Sequence, residues 1–215
     1  MHKLDRPQSP GCLSQYHYGR NQWRDLSNDD RQAIWSSLET MQGERCAYCE
    51  CDLQQHGRHI EHFRQRSGHN YPQGTFQWAN LFGSCNREES CGKHKDRYRG
   101  YNYQDLIKPD IDNPDDYLIF VPDGTIQIRQ GLTAQQYQKA SETLRVFNLN
   151  ADNGPLRWMR NQAAAGYLKL AEELLELATE LEQDEWLPLY HTELEQIKGL
   201  PFETAIRHAL TPIDG

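Results

Sequence analysis

The chain has 215 residues, enough for one substantial domain or for a small module joined to a second, helical one. Its net charge of −8 argues against a protein that binds nucleic acid indiscriminately. No run approaches the roughly 18 to 20 apolar residues of a membrane span, and the first residues lack the apolar core of a signal peptide. We therefore expect a globular, cytoplasmic protein that has no membrane partner.

The chain opens with a polar stretch that precedes the first predicted helix. Residues 1–26 are rich in Tyr, Arg and Gln with scattered Pro and Gly, and we expect an irregular arm that packs over the body. Ser27 to Asp30 form a capping-box signature, after which apolar residues recur at helical spacing. The pattern predicts a helix over about 28–42 that ends at Gly43.

The middle of the chain is predicted to have short secondary-structure elements joined by loops. We predict a strand near 58–63, a long loop through Gly68 and Pro72, a further segment over 78–82 and a helix that begins near Cys91. After it, two β-branched runs flank a Pro-Asp-Gly turn, which predicts a hairpin from residues 117–121 and 125–128.

Past Leu132 the sequence is helical. The predicted helices run from Thr133 to a close within 143–150, from Leu156 to about Gln183, from 184 to 197 and from 202 to 209. The whole pattern predicts a mainly helical α+β fold in three parts. These parts are an arm over 1–26, a metal-stapled module with a hairpin over 27–131, and a helical region over 132–215.

Five of the six cysteines lie between residues 46 and 91, which favours metal ligation over disulfides in a chain without a secretion signal. Cys46 and Cys49 form a C-x-x-C knuckle, and Cys85 with Cys91 can complete a four-thiolate structural zinc site. The second pair is spaced more widely than a knuckle. One ligand can therefore be exchanged for Cys51 or His94.

A cluster of histidines and acids lies between the two cysteine pairs, in a cation-rich part of the chain. Residues 56–108 carry nine Lys and Arg against five acids, whereas the rest of the chain has a balance of −12. Cations beside a candidate site are what phosphate binding requires. The cations that we expect to contact nucleic acid are Arg64, Arg66, Lys93, Lys95 and Arg97.

The order His59-Ile-Glu61-His62, followed by Asn80, resembles the HNH endonuclease motif, whose fold is the ββα-metal finger. The resemblance implies that His62 is the general base, that Glu61 binds a catalytic Mg²⁺ or Mn²⁺ ion, and that Asn80 constrains the loop and orients the His62 ring. Alternate residues of a strand share a face, so His59 is a further candidate for contact with metal or phosphate.

The sequence departs from the HNH pattern at the last metal ligand. Zinc-containing members often have Cys-Asn-x-x-Lys there, whereas this chain has Gly92 where the asparagine would be. The missing ligand is then either His94 or Asn86, and we favour His94.

A wider resemblance covers roughly residues 40–165. The HIEHF and NLFGSC blocks, the Pro-Asp-Gly hairpin and the TLRVFNLN segment are similar to the nuclease subunit of Septu-type anti-phage systems. That resemblance implies an ABC-type ATPase as partner and, for retron-associated members, a reverse transcriptase with its DNA product. DNA is the expected substrate, although RNA such as tRNA stays open. The alternative function is that of a non-catalytic, zinc-stabilised protein that binds nucleic acid or a partner.

Overall fold

The computed structural model describes residues 1–66, 71–98, 100–152 and 154–211, so Gly68 of the predicted loop lies outside the described residues. The helices are α1 Asn28–Gln42, α2 Leu53–His56, α3 Cys91–Arg97, α4 Ala134–Val146, α5 Leu156–Ala165, α6 Leu168–Glu180, α7 Gln183–Ile197 and α8 Glu203–Leu210. The strands are β1 Arg58–His62, β2 Leu81–Cys85, β3 Leu118–Phe120 and β4 Ile126–Ile128. The predicted α+β class with mainly helical content is confirmed.

Helix α1 has the bounds that its capping box predicts. Ser27 Oγ accepts the backbone N–H of Asp30 at 3.0 Å, and the Asp30 carboxylate accepts the N–H of Ser27 at 3.2 Å. The helix ends at Gly43, whose φ of 65° suits a residue without a side chain. At its last turn, the Gln42 amide bonds both the N–H and the C=O of Gly83 at 2.9 Å. This pair of bonds ties α1 to the backbone of β2.

Strands β1 and β2 form an antiparallel hairpin that carries the residues of interest. Arg58 pairs with Cys85 at one end and His62 with Leu81 at the other. Every residue of β2 is buried, because the strand lies under α1 on one side and under α3 on the other. Since β2 ends at one cysteine and α3 begins at the next, the hairpin and α3 hold the second cysteine pair.

The single long helix predicted from Leu156 to about Gln183 is wrong, because the chain breaks there into α5 and α6. Helix α5 ends at Gly166, whose N–H donates to Gln162 O at 3.4 Å. Glycine is a poor helix former and gives the break its position. Leu174 and Ile197, from α6 and α7, then pack with Ile206 and Leu210 of α8 in a small apolar cluster apart from the main core.

The second hairpin, β3–β4, forms across the predicted Pro-Asp-Gly turn. Val121 N–H donates to Thr125 O at 2.9 Å, and Gly124 occupies the left-handed region with φ 86°. The hairpin joins α8 through the Phe120 N–H, which donates to His208 Nδ1 at 2.9 Å. The C-terminal helix is therefore fixed to the central part of the fold.

The N-terminal stretch contacts the body over much of its length. Leu4 and Leu13 are buried in the main core. The guanidinium of Arg6 donates to Trp78 O at 2.8 Å and to Leu81 O at 3.0 Å, directly before and at the start of β2. Among the described residues, no helix is long and apolar enough to cross a membrane.

Candidate functional site

The four cysteines predicted as ligands meet in the core. The Sγ atoms of Cys46, Cys49, Cys85 and Cys91 all lie within 4.8 Å of one another, and all four residues are buried. Around a tetrahedral zinc ion with Zn–S bonds of about 2.3 Å, neighbouring sulfurs are about 3.8 Å apart. The Cys49 and Cys85 sulfurs are 3.9 Å apart, so the cluster fits a closed structural metal site.

Neither alternative ligand belongs to this group. Cys51 is buried but is not one of the four clustered residues. His94 turns towards α4, where its Nδ1 lies 2.8 Å from Val146 O. Because a carbonyl oxygen only accepts, Nδ1 carries the proton in that bond.

Glu61 lies beside the cysteine cluster as a buried carboxylate with two charged neighbours. Lys95 Nζ is 2.6 Å from Glu61 Oε1, and both side chains are at most 1% exposed. His59 Nε2 lies 3.4 Å from Oε2, so the two β1 residues share a face as the strand pattern predicts. Burial raises the pKa of Glu61, but Lys95 and His59 outweigh it and hold that pKa below its usual value. The carboxylate is therefore ionised at neutral pH.

Lys95 corrects one prediction made from the sequence. It was predicted to contact nucleic acid, but its side chain is fully buried, which denies it to a phosphate backbone. Its ammonium also donates to His62 O and to Asp96 Oδ1, each at 2.9 Å. Burial lowers the pKa of Lys95, yet the Glu61 carboxylate more than compensates and raises it. Lys95 thus acts inside the fold, as the counter-ion of Glu61.

His62 is anchored by the loop that follows β1. Its Nε2 lies 3.0 Å from Thr75 O, so Nε2 carries the proton and the neutral ring keeps its lone pair on Nδ1. The ring of Trp23 lies edge-on to the imidazole, with centroids 4.6 Å apart. Burial lowers the pKa of His62 to about 4, even though the Thr75 bond opposes that change. The imidazole is therefore neutral near pH 7 and can accept a proton.

Asn80 clamps the segment that carries Thr75. Its Oδ1 accepts the N–H of Arg64 at 2.8 Å, while its Nδ2 donates to Arg64 O at 3.0 Å and to Gly74 O at 3.2 Å. Asn80 is 4% exposed, so these bonds replace contacts with water. They fix the backbone on both sides of the loop, next to the carbonyl that holds His62.

The third ligand expected for a catalytic ion, His94 or Asn86, stays a prediction. His94 faces Val146, and Asn86 Oδ1 lies 3.0 Å from His59 Nδ1. In the described part of the chain, the four cysteines make up the only group of three or more His, Cys, Asp or Glu side chains close enough to hold an ion. A Cβ at Gly92 would lie 2.5 Å from Glu61 Oε2, so an asparagine at this position would collide with the carboxylate.

His59, Glu61 and His62 open onto one cleft with a volume of about 330 Å³. Arg66 and Lys93 supply cations to its walls, and Trp23 enters from the N-terminal stretch. Two other predicted cations differ in how they are held. Arg64 lies between the rings of Tyr71 and Tyr103, at 3.6 and 3.7 Å from their centroids. Arg97 is exposed and paired with Glu88.

Three residues of this site were missed or misread from the sequence. Lys95 stands four positions after Cys91 on a helix, the spacing that places both on the inner face, and this signal was available. Thr75 acts through its backbone carbonyl, which no side-chain pattern reveals. Trp23 lies 39 positions before His62 in an irregular stretch, and only the tertiary fold brings the two together.

The fold and the site together define a protein with a buried cysteine cluster, able to hold a structural metal, beside a cleft with histidines, a carboxylate and cations. No family model matches the sequence. The chain is similar to Septu protein PtuB of Bacillus thuringiensis, with 29% identity over an alignment of 129 residues that covers 55% of this chain and 46% of that protein.

A second relative comes from Vibrio cholerae serotype O1 biovar El Tor and bears the name "Retron Vc95 putative HNH endonuclease". It is 27% identical over an alignment of 126 residues that covers 56% of this chain and 58% of the relative. The predicted resemblance to the Septu protein PtuB and to a retron protein named as an HNH endonuclease is thus confirmed. The chain spans about half the length of the curated relatives that it matches.

Proposed function

We propose that this chain is a cytoplasmic, metal-dependent HNH endonuclease of ββα-metal type that hydrolyses phosphodiester bonds, with DNA as the favoured substrate. It acts as the effector of an anti-phage defence complex. The observation that carries the proposal is the His62 ring, whose Nε2 lies 3.0 Å from Thr75 O in a cleft that the Glu61 carboxylate also lines. The names of the two relatives, one a Septu protein and one an HNH endonuclease, support the same reading.

The chemistry assigned to His62 is general-base catalysis. Its Nδ1 takes a proton from a water molecule, whose oxygen forms a bond to phosphorus as the bond to the leaving ester oxygen breaks. The Thr75 carbonyl keeps the ring in the tautomer that this step needs. Burial lowers the pKa of His62 to about 4, so Nδ1 carries no proton at physiological pH.

Glu61, together with His59, would hold the catalytic Mg²⁺ or Mn²⁺. Glu61 Oε1 lies 2.6 Å from the Lys95 ammonium, so the oxygen left for the ion is Oε2, whose neighbour His59 Nε2 lies at 3.4 Å. Mg²⁺ usually takes one or two carboxylates and keeps several waters, so a site with few protein ligands suits it. When bound, the ion neutralises charge on the phosphate and the leaving oxygen.

The four-cysteine cluster is assigned a structural zinc ion. Its thiolates come from the knuckle before β1, from the end of β2 and from the start of α3. The ion therefore staples the two-stranded hairpin to α3 and fixes the register of Glu61 against Lys95. We assign the zinc no part in the reaction, because four protein ligands leave it no open position.

The partner in this proposal is an ABC-type ATPase, joined in a retron setting by the reverse transcriptase and its DNA product. Residues 168–198 carry nine acids and two lysines, which is most of the chain's net negative charge. The same helices expose several leucines to solvent: Leu168, Leu175, Leu181 and Leu189. An acidic, apolar helix pair repels nucleic acid and suits a basic protein surface, so the partner supplies affinity and restraint.

The test is cleavage of plasmid DNA and of total RNA by the wild-type chain and by His62→Ala, each with and without the neighbouring ATPase, in Mg²⁺ and in Mn²⁺. We expect the variant to lose about 10²- to 10⁴-fold in rate, because it lacks the general base. His191→Ala is the matched control, since His191 is exposed on α7, and it should cleave at the wild-type rate.

The alternative function predicts a different outcome. A folded, zinc-loaded protein that cleaves nothing in any combination would be a non-catalytic zinc scaffold. Cleavage that survives His62→Ala would refute the assigned base. An isolated chain that cuts as fast as the ATPase complex would refute the role given to the partner.

A further inference from the structure

Trp23 is a large aromatic side chain on the wall of the candidate cleft, supplied by a stretch that was expected only to cover the body. Its indole lines the same cavity as His62, Arg66 and Lys93 and is partly exposed. A wall that only excludes water could be aliphatic. A partly exposed aromatic ring beside a histidine and two cations is instead the composition expected of a nucleotide site.

The indole is held in place without any substrate. Arg31 on α1 holds the backbone here, because its Nη2 donates to the carbonyl oxygen of Trp23 at 2.9 Å. Phe76 stacks on the indole with centroids 6.0 Å apart, and the His62 ring meets it edge-on at 4.6 Å. Trp23 is therefore a fixed surface, so a ligand that stacks there loses little by ordering it.

The cleft offers separate contacts for the base and for the phosphate of a nucleotide. The Arg66 guanidinium lies over the indole, 5.9 Å from its centroid, so a base that stacks there takes the place of this cation, which then meets the adjacent phosphate. His62 borders the same space, so the phosphate next to a base on Trp23 would lie in the cavity that the imidazole lines. Base–aromatic stacking is tolerant of sequence, because every base has a π-face.

The size of the cleft restricts the form of the nucleic acid. A volume of about 330 Å³ is at the lower end of the range of small-molecule sites, roughly 300 to 1,000 Å³, and can take in about one nucleotide. Within a duplex both faces of a base are covered by its neighbours. Only an unpaired or flipped base can offer a face to Trp23.

We propose that Trp23 is the stacking platform for an unpaired nucleobase next to the scissile phosphate, which makes single-stranded or locally unpaired nucleic acid the substrate class of this site. This inference rests on the proposed nuclease function. It assigns Trp23 the recognition of the base and leaves the chemistry to His62.

Binding is the first test, measured with the ATPase complex and without added Mg²⁺ or Mn²⁺, so that the oligonucleotides stay intact. The probes are a labelled oligothymidine strand, a perfect DNA duplex and an abasic strand with the same number of phosphates. We expect Trp23→Ala to bind the oligothymidine about 5- to 150-fold more weakly and Trp23→Phe to recover most of the loss. Trp158→Ala is the matched control, because Trp158 is 63% exposed on α5 and lies outside the cleft.

The abasic strand distinguishes stacking from a structural role. A stacking platform has nothing to hold on that strand, so the wild type should bind it as weakly as Trp23→Ala binds oligothymidine, and the substitution should not weaken it further. A residue that merely props up His62 would reduce both strands equally, which overturns the inference. Duplex binding as tight as single-strand binding overturns it as well, and the wild-type comparison remains decisive even if Trp23→Ala fails to fold.

Cleavage then separates this inference from the nuclease proposal. If His62→Ala abolishes cleavage but the Trp23 variants treat all three probes alike, the platform fails and the nuclease stands. If the stacking signature is present but His62→Ala still cleaves, the assigned chemistry fails and the platform stands. Support for both requires a preference for the single strand in cleavage as well as in binding.

Discussion

Lys95→Met isolates the buried ion pair on which the candidate site rests. The substitution removes an ammonium that lies 2.6 Å from Glu61 Oε1 and donates to His62 O and Asp96 Oδ1, each at 2.9 Å. At an effective dielectric constant of about 20, two charges at that distance attract by about 6 kcal/mol, most of which offsets their desolvation. Loss of one partner leaves Glu61 uncompensated in the core. We expect a loss of about 3–5 kcal/mol of unfolding free energy.

The assay is urea unfolding at fixed free zinc, with Glu61→Gln and the double variant completing a mutant cycle. The double variant should be less destabilised than the sum of the two single variants, by about 2–3 kcal/mol, since neither charge is then left alone. Lys93→Met is the matched control on the same helix. Its ammonium is 40% exposed and 3.7 Å from Glu88, so it should change stability by less than about 0.5 kcal/mol.

The direction in which stability changes with pH follows from the pKa shifts of Glu61 and Lys95. Glu61 has a lowered pKa, so its contribution is present above the unfolded pKa of about 4.3 and is lost as the pH falls through the folded value. Lys95 has a raised pKa, so its contribution is present below about 10.4 and is lost at higher pH. A cost under about 1 kcal/mol for Lys95→Met, or strict additivity in the cycle, would refute the pair.

Three further variants probe the zinc, the loop and the C-terminal helix. Cys85→Ser should lower bound zinc well below one ion per chain, as measured by elemental analysis, and unchanged zinc would contradict the assigned ligands. Asn80→Ala should cost about 1–3 kcal/mol in urea unfolding, because buried groups of Arg64 and Gly74 lose their partners, and a neutral result would remove the clamp. Asp115→Asn should cost about 1 kcal/mol at pH 7, since its carboxylate lies 2.6 Å from Arg207. Burial raises the pKa of Asp115, but its His208 and Arg207 contacts lower it overall, so this cost should shrink as the pH falls below about 4, and a constant cost would count against the ion pair.

Short sequence patterns were enough to predict the elements whose conformation is set by neighbouring residues. The capping box at Ser27 sets the start of α1, and the Pro-Asp-Gly turn sets the β3–β4 hairpin. The C-x-x-C knuckle and the two later cysteines also converge as predicted. In each case a few neighbouring residues, or the geometry that one ion demands, decide the outcome.

The predictions that failed depend on contacts between distant parts of the chain. The helix predicted from Leu156 to about Gln183 runs through Gly166, a poor helix former, and the structure has α5 and α6 on either side of that residue, each packed against α8. Lys95 was read as a surface cation because its partner, Glu61, lies 34 positions earlier on another element.

Glu50, within the zinc knuckle, links early and late parts of the chain. Its buried carboxylate accepts the N–H of Thr204 at 2.9 Å, from a residue 154 positions further on, at the start of α8. Synthesis at about 5–20 residues per second separates the two residues by roughly 8 to 30 s. Until α8 leaves the ribosome, Glu50 lacks this partner. The nascent knuckle is thus made long before its packing is complete, and the candidate site gains its full set of contacts only after α8 has been synthesised.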